Sequence, residues 1–294
     1  MQFLFIINPI SGNEDKSHLL RMVKAELKTD DKLTIFKTTG ENDTEKIQQQ
    51  LKKENFDRVL VAGGDGTVKL AAEAMGDHAL PIGILPAGSA NGLASDLDLP
   101  EQPKKFIPIA LYGKTRKIDA ININDELGLH ISDFGLNAEL IKEYESSSLR
   151  GKLGYAINSI TTLFQSKGPY EFEISTEKES FTKKGIMLAL ANSKKFGTGA
   201  VVNPKGKIDD GLFEVLLFKK LDLFEILKTL NEGKELSSDF VESFPVKEVK
   251  IKTQQKVDFQ IDGEYCKAIS EVNAKILPNK LEIAVRLGQF ATNH

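Results

Sequence analysis

The sequence predicts an α/β domain followed by a mostly antiparallel β-rich domain. Through about residue 112, short apolar strands alternate with amphipathic helices across short loops, a pattern typical of a parallel sheet covered by helices. Beyond Gly113 alternating strands dominate, which favours a β-sandwich or a flattened barrel. The join between the domains is therefore expected near residues 113–122, with the domains at residues 1–118 and 119–279.

The composition of the 294-residue chain excludes several classes of protein. Apolar residues make up 40% and charged residues 28%, as in ordinary globular domains. The net charge of −3 gives no basic surplus for binding nucleic acid. No apolar run is long enough to span a membrane, and the N-terminus resembles a first strand more than a signal peptide. A single cysteine excludes an internal disulfide and fits a reducing cytoplasm. The oligomeric state stays open, a homodimer included.

Four strands are predicted in the first domain, each ending at a polar or glycine-rich turn. Each turn is followed by a helix with apolar residues at helical spacing. Because the carboxyl ends of parallel strands meet at one edge of the sheet, the turns should converge on a ligand site there. The predicted strands are Phe3–Ile7, Leu33–Phe36, Val59–Ala62 and Pro81–Leu85, and their turns begin at Asn8, Thr38, Gly63 and Pro86.

The second domain is predicted from alternation of apolar and polar residues. Leu127–Phe134 is expected to return antiparallel to Lys117–Asn124 across a turn at Asn124 and Asp125. Helices are expected at about residues 137–164 and 221–230. The remaining predicted strands are Glu171–Thr176, Lys184–Ala191, Leu212–Phe218, Val246–Thr253, Val257–Ile261, Ala268–Leu277 and Leu281–Val285.

The third turn carries the strongest local indication of a phosphate site. Its sequence is Gly63-Gly64-Asp65-Gly66-Thr67, and a helix begins directly after the glycines. Backbone N–H groups in such a turn can point at an anion, and the helix N-terminus adds partial positive charge. A carboxylate among phosphates makes sense where a divalent cation accompanies them. The structural alternative is a tight turn in which Asp65 caps the helix that follows it.

A second acidic motif, Asp262-Gly263-Glu264, follows the predicted strand Val257–Ile261. In an extended chain, alternation places the two acids on one face. There they either share a metal ion or divide the roles of base and metal ligand. The alternative is an ordinary Asp-Gly hairpin turn.

Taken together and in order, the motifs resemble the lipid kinases that share a catalytic domain with diacylglycerol kinases and sphingosine kinases. Two further acidic motifs downstream extend the match over almost the full chain. The threonine that ends the family's second strand corresponds to Thr38 or to neighbouring Thr39. The matching motifs are Asn8-Pro9-Ile10-Ser11-Gly12, Gly63-Gly64-Asp65-Gly66-Thr67, Leu85-Pro86-Ala87-Gly88-Ser89-Ala90-Asn91, Asp209-Asp210-Gly211 and Asp262-Gly263-Glu264.

This resemblance implies the fold and the cofactors. It implies an ATP-binding domain of the NAD kinase and phosphofructokinase type, followed by a β-rich domain that receives the lipid. It also implies that the last strand, at about residues 280–294, packs back onto the first domain. ATP and Mg²⁺ are the implied cofactors. The implied partner is a membrane lipid, reached by a cytoplasmic protein through transient contact with the membrane surface.

The resemblance also assigns roles to individual residues. Residues 8–12 and 63–67 are expected to hold the ATP phosphates, with nucleotide contacts from Thr38, Ser89 and Asn91. Asp65 is expected to help place the catalytic Mg²⁺. Glu264 is expected to be the base, with Asp262 close to the metal. Some members of the family hold a structural Mg²⁺ at the position that matches Asp210 with the carbonyl groups of Lys207 and Leu212. The alternative is an ordinary turn before the strand that begins at Leu212.

Two departures from the family pattern bear on the substrate. Ser89 replaces a threonine that many bacterial members carry, but it keeps the hydroxyl. Asn137 stands where sphingosine kinases have an aspartate for the lipid head group, and a neutral amide pairs poorly with an ammonium. Two other functions are considered: a soluble-substrate kinase of the NAD kinase type, and a non-catalytic nucleotide or lipid sensor.

Overall fold

A computed structural model of the chain describes residues 1–12, 15–76, 78–89, 91–135, 138–139, 168–196, 200–229 and 235–286. Two compact units divide the chain. One combines Met1–Ile118 with the C-terminal residues from Asn279 onward, and the other is Asp119–Pro278. Among the helices in these ranges, none is both long enough and apolar enough to cross a membrane. The predicted helix at about residues 137–164, including Asn137, lies almost entirely outside the described residues.

A parallel sheet forms the centre of the first unit, as predicted. The strand order is β2-β1-β3-β4, and the end of β16 lies parallel to β4, with Ile283 opposite Ile82. The apolar residues of β1 and β3 are buried because helices cover the sheet. The strands are β1 (Gln2–Ile7), β2 (Lys32–Lys37), β3 (Arg58–Gly63) and β4 (Ile82–Pro86). The helices are α1 (Lys16–Glu26), α2 (Asp43–Lys53), α3 (Asp65–Met75), α4 (Gly92–Asp96) and α5 (Pro103–Tyr112).

Helix α5 contains Pro108 in its interior, which is why its sequence gave no clear helical prediction. The helix forms because Pro103 suits its first turn and because its apolar face packs on the sheet. A Cβ atom at Gly83 would lie 2.3 Å from the Ala110 carbonyl oxygen, so α5 packs directly against β4. The buried Arg58 guanidinium also donates to that carbonyl, at 3.0 Å.

Antiparallel strands build the second unit, also as predicted. The order is β14-β13-β10-β7-β15-β16, with β8 paired to β15 and β9 paired to β8. The strands that lie wholly or partly in this unit are β5 (Lys114–Ile123), β6 (Glu126–Gly128), β7 (Ile131–Gly135), β8 (Tyr170–Thr176), β9 (Ser180–Gly185), β10 (Met187–Ala191), β11 (Lys195–Phe196), β12 (Ala200–Val201), β13 (Phe213–Phe218), β14 (Val241–Val246), β15 (Glu248–Ile261) and β16 (Glu264–Val285). In the described part of this unit, one helix, α6 (Leu223–Thr229), lies among the strands.

Several predicted strand boundaries were wrong. The segment predicted as one strand at Leu127–Phe134 is two strands, of which only β6 pairs with β5. Lys184–Ala191 is likewise divided between β9 and β10. Conversely, β15 and β16 are each continuous where two strands were predicted, and a β-bulge between Lys252 and Val257 interrupts the alternation in β15.

On β14, Glu242 gives a pH-dependent prediction. Its carboxylate lies 2.5 Å from Lys183 Nζ and 2.6 Å from Lys219 Nζ. Hydrogen bonds from Lys183 and then Lys219 hold the pKa of Glu242 below its usual value of 4.5. Because the pKa of Glu242 is lower in the folded than in the unfolded protein, its ionised carboxylate stabilises the fold at pH values above 4.5. This stabilisation is lost as the pH falls through the lowered pKa of the folded state.

We expect Glu242→Gln to lower the melting temperature by about 2–5 °C at pH 7, since partly exposed pairs contribute little each. The difference from the wild type should shrink below pH 4.5. The difference in melting temperature is measured by thermal unfolding of both proteins between pH 7 and pH 3. A difference that stays constant down to pH 3 would contradict the ion-pair explanation.

Candidate functional site

The first loop, after β1, is shaped by Asn8 and Ser11. The Asn8 side chain accepts a hydrogen bond from the Ile10 N–H at 3.1 Å and donates to Thr67 Oγ1 at 3.3 Å. Ser11 Oγ donates to the Asn8 carbonyl at 3.1 Å and to the Ala87 carbonyl at 3.3 Å. The loop is therefore joined to the third and fourth loops. Pro9 and Ile10 lie at its tip, where Ile10 is 89% exposed.

In the second loop, Thr39 and Asp43 bind each other. The Asp43 carboxylate accepts hydrogen bonds from the N–H groups of Thr39 and Gly40 and from the Thr39 hydroxyl. Those backbone hydrogen bonds lower the pKa of Asp43 although its burial opposes them. Thr38 is buried, and its hydroxyl makes no hydrogen bond to any residue that the structure describes. Of the two threonines, Thr39 is thus engaged with Asp43 within its own loop.

The third loop, between β3 and α3, brings Gly63, Gly64, Gly66 and Thr67 together. A Cβ atom at Gly63 would lie 2.2 Å from Thr67 Oγ1, so only glycine fits there while Thr67 keeps its position. Helix α3 begins after Gly64 without a hydrogen bond from a capping side chain. An 11-residue helix that begins this way directs unsatisfied N–H groups and partial positive charge towards the loop.

Asp65 joins the third loop to the fourth. Its carboxylate accepts hydrogen bonds from the N–H groups of Gly92 at 2.7 Å and Leu93 at 3.1 Å. The capping role offered as the structural alternative is thus present, but it serves the start of α4 and not Asp65's own helix.

The fourth loop, after β4, is folded on itself by Asn91. The Asn91 side chain accepts from the Gly88 N–H at 3.0 Å and donates to the Gly88 carbonyl at 3.2 Å. Ser89 is exposed at the tip. Gly12 of the first loop has a φ of +60°, and a Cβ atom there would lie 2.7 Å from the Ala87 carbonyl oxygen. The first, third and fourth loops thus meet at the carboxyl edge of the sheet.

Asp262 and Gly263 form the two-residue turn of a hairpin between β15 and β16. Both have positive φ, +51° and +89°, and Ile261 pairs with Glu264 across the turn. The extended conformation predicted for Asp262 and Glu264 was therefore wrong, because Asp-Gly favours this tight turn. Glu264 is exposed, and its carboxylate has no partner within the described ranges.

The Asp262 carboxylate holds this hairpin to a neighbouring strand connection. It accepts hydrogen bonds from the N–H groups of Leu129 and His130, each at 2.8 Å. The fully buried Gln260 supports the turn from beneath, since its side chain accepts from the Gly263 N–H at 2.7 Å and donates to Asp133. The position of Glu264 is therefore fixed by buried and partly buried polar contacts of the residues before it.

We expect Asp262→Ala to destabilise the protein by about 2–4 kcal/mol, because it leaves two backbone N–H groups without their charged acceptor. Urea unfolding measures the loss. Asp125→Ala is the matched control, since Asp125 also has a positive φ, +70°, in a hairpin but is exposed. An equal loss in both variants would mean that backbone strain, and not the carboxylate contacts, explains the effect.

The predicted metal position lies in the turn before β13. Asp210 is exposed, and its Oδ1 accepts from the Leu212 N–H at 3.1 Å. Lys207 is exposed at the start of the turn. Buried Asp119 accepts from the Gly211 N–H at 2.7 Å. Oxygen donors suit Mg²⁺, but no group of three metal-binding side chains exists in the described part of the chain.

Three residues that organise these loops were not identified from the sequence: Lys16, Asp119 and Gln260. Each acts through contacts with residues distant in the chain, which local patterns do not reveal. Lys16 alone carried a signal, because a lysine at the first position of a helix opposes the helix dipole.

Comparison with known proteins identifies both halves of the chain. The family profile of the diacylglycerol kinase catalytic domain matches residues 2–123. The profile of the YegS C-terminal NAD kinase beta sandwich-like domain matches residues 131–285. The predicted fold class, an α/β domain followed by a β-sandwich domain, is thereby confirmed.

Individual proteins similar to this chain are named as lipid kinases or diacylglycerol kinases. The chain is 29% identical to a Shewanella frigidimarina protein named "Probable lipid kinase YegS-like" over 220 residues, 72% of this chain and 71% of that protein. It is 25% identical to the diacylglycerol kinase of Bacillus subtilis, covering 88% of each. A diacylglycerol kinase structure from Bacillus anthracis shares the fold, with a TM-score of 0.76, 17% identity and 98% coverage of both chains. The chain therefore belongs to the diacylglycerol kinase-like lipid kinases of bacterial type, which join a diacylglycerol kinase catalytic domain to a YegS-type C-terminal domain.

Proposed function

We propose that this enzyme transfers the γ-phosphate of ATP, with Mg²⁺, to the hydroxyl group of a diacylglycerol-like or sphingoid-like lipid. The observation that carries the proposal is the joining of three strand-end loops around the uncapped N-terminus of α3. Asn8, Ser11 and Asp65 make the joining hydrogen bonds. A diacylglycerol-like lipid is favoured, because the matched Bacillus subtilis protein is a diacylglycerol kinase.

The residues of the first unit fit ATP. Phosphates need N–H donors and positive charge, which a glycine turn at a helix N-terminus supplies. We assign the phosphates to residues 8–12 and 63–67. We assign the nucleoside contacts to Thr38, Ser89 and Asn91. Of these, Thr38 and Ser89 offer hydroxyl groups, while Asn91 acts by folding the loop that carries Ser89. On this proposal, residues 1–118 form the ATP-binding domain and residues 119–279 the lipid-binding domain.

Asp65 fits a role in holding Mg²⁺. A bound Mg²⁺ neutralises the charge that develops on the transferred phosphoryl group. Asp65 stands at the start of α3 among the phosphate-binding glycines, and its carboxylate is oriented by two backbone N–H groups. This orientation costs no rearrangement when the nucleotide arrives. A second, structural Mg²⁺ is proposed at Asp210 with the carbonyl groups of Lys207 and Leu212, all of which are oxygen donors.

Glu264 is proposed as the base. A lipid hydroxyl is a weak nucleophile, so a carboxylate must accept its proton as the phosphoryl group is transferred. The Glu264 carboxylate is exposed and binds no other residue that the structure describes, whereas the Asp262 carboxylate accepts hydrogen bonds from Leu129 and His130. Asp262 is accordingly proposed to hold the hairpin and to act near the metal, not as the base. We further propose a cytoplasmic location with transient contact at the membrane surface.

Transfer of labelled γ-phosphate to lipids in mixed micelles tests the proposal. The panel contains diacylglycerol, monoacylglycerol, sphingosine, ceramide and phosphatidylglycerol, with NAD as the soluble acceptor. We expect Mg²⁺-dependent label on diacylglycerol. Label on NAD alone would favour a soluble-substrate kinase of the NAD kinase type. ATP binding without transfer to any acceptor would favour a non-catalytic nucleotide or lipid sensor.

A further inference from the structure

We propose that Lys16 is a positioning residue of the ATP site, which fixes the first loop against the fourth and adds positive charge beside the phosphates. The inference rests on the proposed ATP-binding function. Lys16 lies outside the glycine-rich motifs, at the first position of α1. Its side chain nevertheless binds residues of the first and fourth loops, which those motifs form.

The ammonium group of Lys16 bridges two loops. Its Nζ donates to the Ser11 carbonyl at 2.8 Å and to the Ala87 carbonyl at 2.5 Å. The Ala87 carbonyl also accepts from Ser11 Oγ at 3.3 Å, and it lies where a Cβ atom at Gly12 would collide. Lys16 Nζ, Ser11 Oγ and the backbone at Gly12 therefore all lie close to the Ala87 carbonyl of the fourth loop. A charged donor makes a stronger hydrogen bond than a neutral one, which suits the Ala87 carbonyl because it also accepts from Ser11 Oγ.

The position of the Lys16 ammonium group is unfavourable in free energy for two reasons. The Lys16 side chain is only 8% exposed, and an ammonium loses hydration when it is buried. The first turn of a helix already carries partial positive charge, so a cation there is disfavoured. A neutral side chain would stabilise α1 better. Attraction between the buried ammonium group and an anionic ligand would offset this loss of hydration. The ATP phosphates proposed at residues 8–12 would be that ligand.

A purely structural role makes a different prediction from the positioning role. If Lys16 only supported the fold, its loss would lower stability and affect the KM values of ATP and lipid alike. If it orders the ATP loops, its loss should weaken ATP binding selectively. The fourth loop carries Ser89, so misplacement of Ala87 would reach the nucleotide contacts directly.

The test compares Lys16→Met, Lys16→Gln and Lys16→Arg with Lys24→Met, an exposed lysine in the last turn of the same helix. MgATP affinity is measured by calorimetric titration without lipid, and KM values by phosphate transfer to diacylglycerol. We expect Lys16→Met to weaken MgATP binding about tenfold or more, the size of one lost charge-assisted contact. The KM of the lipid should change less than twofold. Lys16→Arg should recover part of the affinity, and Lys24→Met should match the wild type.

Each outcome decides one question. A folded Lys16→Met protein that binds MgATP as the wild type does would overturn the inference, as would equal increases in both KM values. If Lys16→Met does not fold, the same criteria apply to Lys16→Gln, which loses the charge but keeps an N–H donor on a side chain one bond shorter. Failure of the wild type itself to bind MgATP would overturn the proposed function instead.

Discussion

Replacement of Asp65 by alanine is expected to lower kcat/KM for phosphate transfer on the order of a thousandfold, the largest effect of any single change in the first unit. Two losses combine. The proposed Mg²⁺ loses a ligand, and the N–H groups of Gly92 and Leu93 lose their acceptor. The fourth loop, which carries Ser89, would then lose its attachment to the third.

Asp65→Asn separates these two losses. Its side-chain oxygen can still accept from one of the two N–H groups, but the charge that attracts Mg²⁺ is gone. We expect it to bind ATP without Mg²⁺ nearly as the wild type does, and to require far more Mg²⁺ for the remaining activity. Steady-state kinetics over a Mg²⁺ series measures this. Glu45→Gln, an exposed acid in the first turn of α2, is the matched control. Undiminished activity in Asp65→Ala would refute the proposed mechanism.

The fold of the first unit could be predicted because its pattern is local. Each strand is a short apolar run that ends at Asn, Thr, Gly or Pro, and each helix repeats its apolar residues every three or four positions. Parallel strands with helices between them leave few possible topologies. The convergence of the loops then follows from the sheet, without knowledge of any individual contact.

The contacts within the site could not be predicted in the same way. Asp65 binds N–H groups 27 and 28 residues away, and Asp262 binds N–H groups more than 130 residues away. Periodicity carries no information about such pairs. The Asp262-Gly263 turn was misread for a different reason. Its two residues can continue a strand or adopt positive φ, and only the pairing of Ile261 with Glu264 decides between them.

Glu264→Gln is expected to lower kcat by about 10²–10⁴-fold while leaving the KM of ATP and the melting temperature nearly unchanged. The amide has the same shape as the carboxylate but cannot accept the proton of the lipid hydroxyl. Stability should be preserved because Glu264 is exposed and the hairpin is held by Asp262 and Gln260 instead. Single-turnover transfer of labelled phosphate to diacylglycerol measures the chemical step directly.

Two further variants test the assignment of the base. Glu264→Asp keeps the charge but withdraws it by one methylene group, so partial activity is expected. Glu271→Gln replaces a partly exposed acid on the same strand β16 and should retain wild-type kcat, since the ion pairs of Glu271 with Lys250 and Lys252 are accessible to solvent. If Glu264→Gln transfers phosphate at the wild-type rate, Glu264 is not the base. The proton must then pass to Asp262, whose contacts with Leu129 and His130 would have to loosen during turnover.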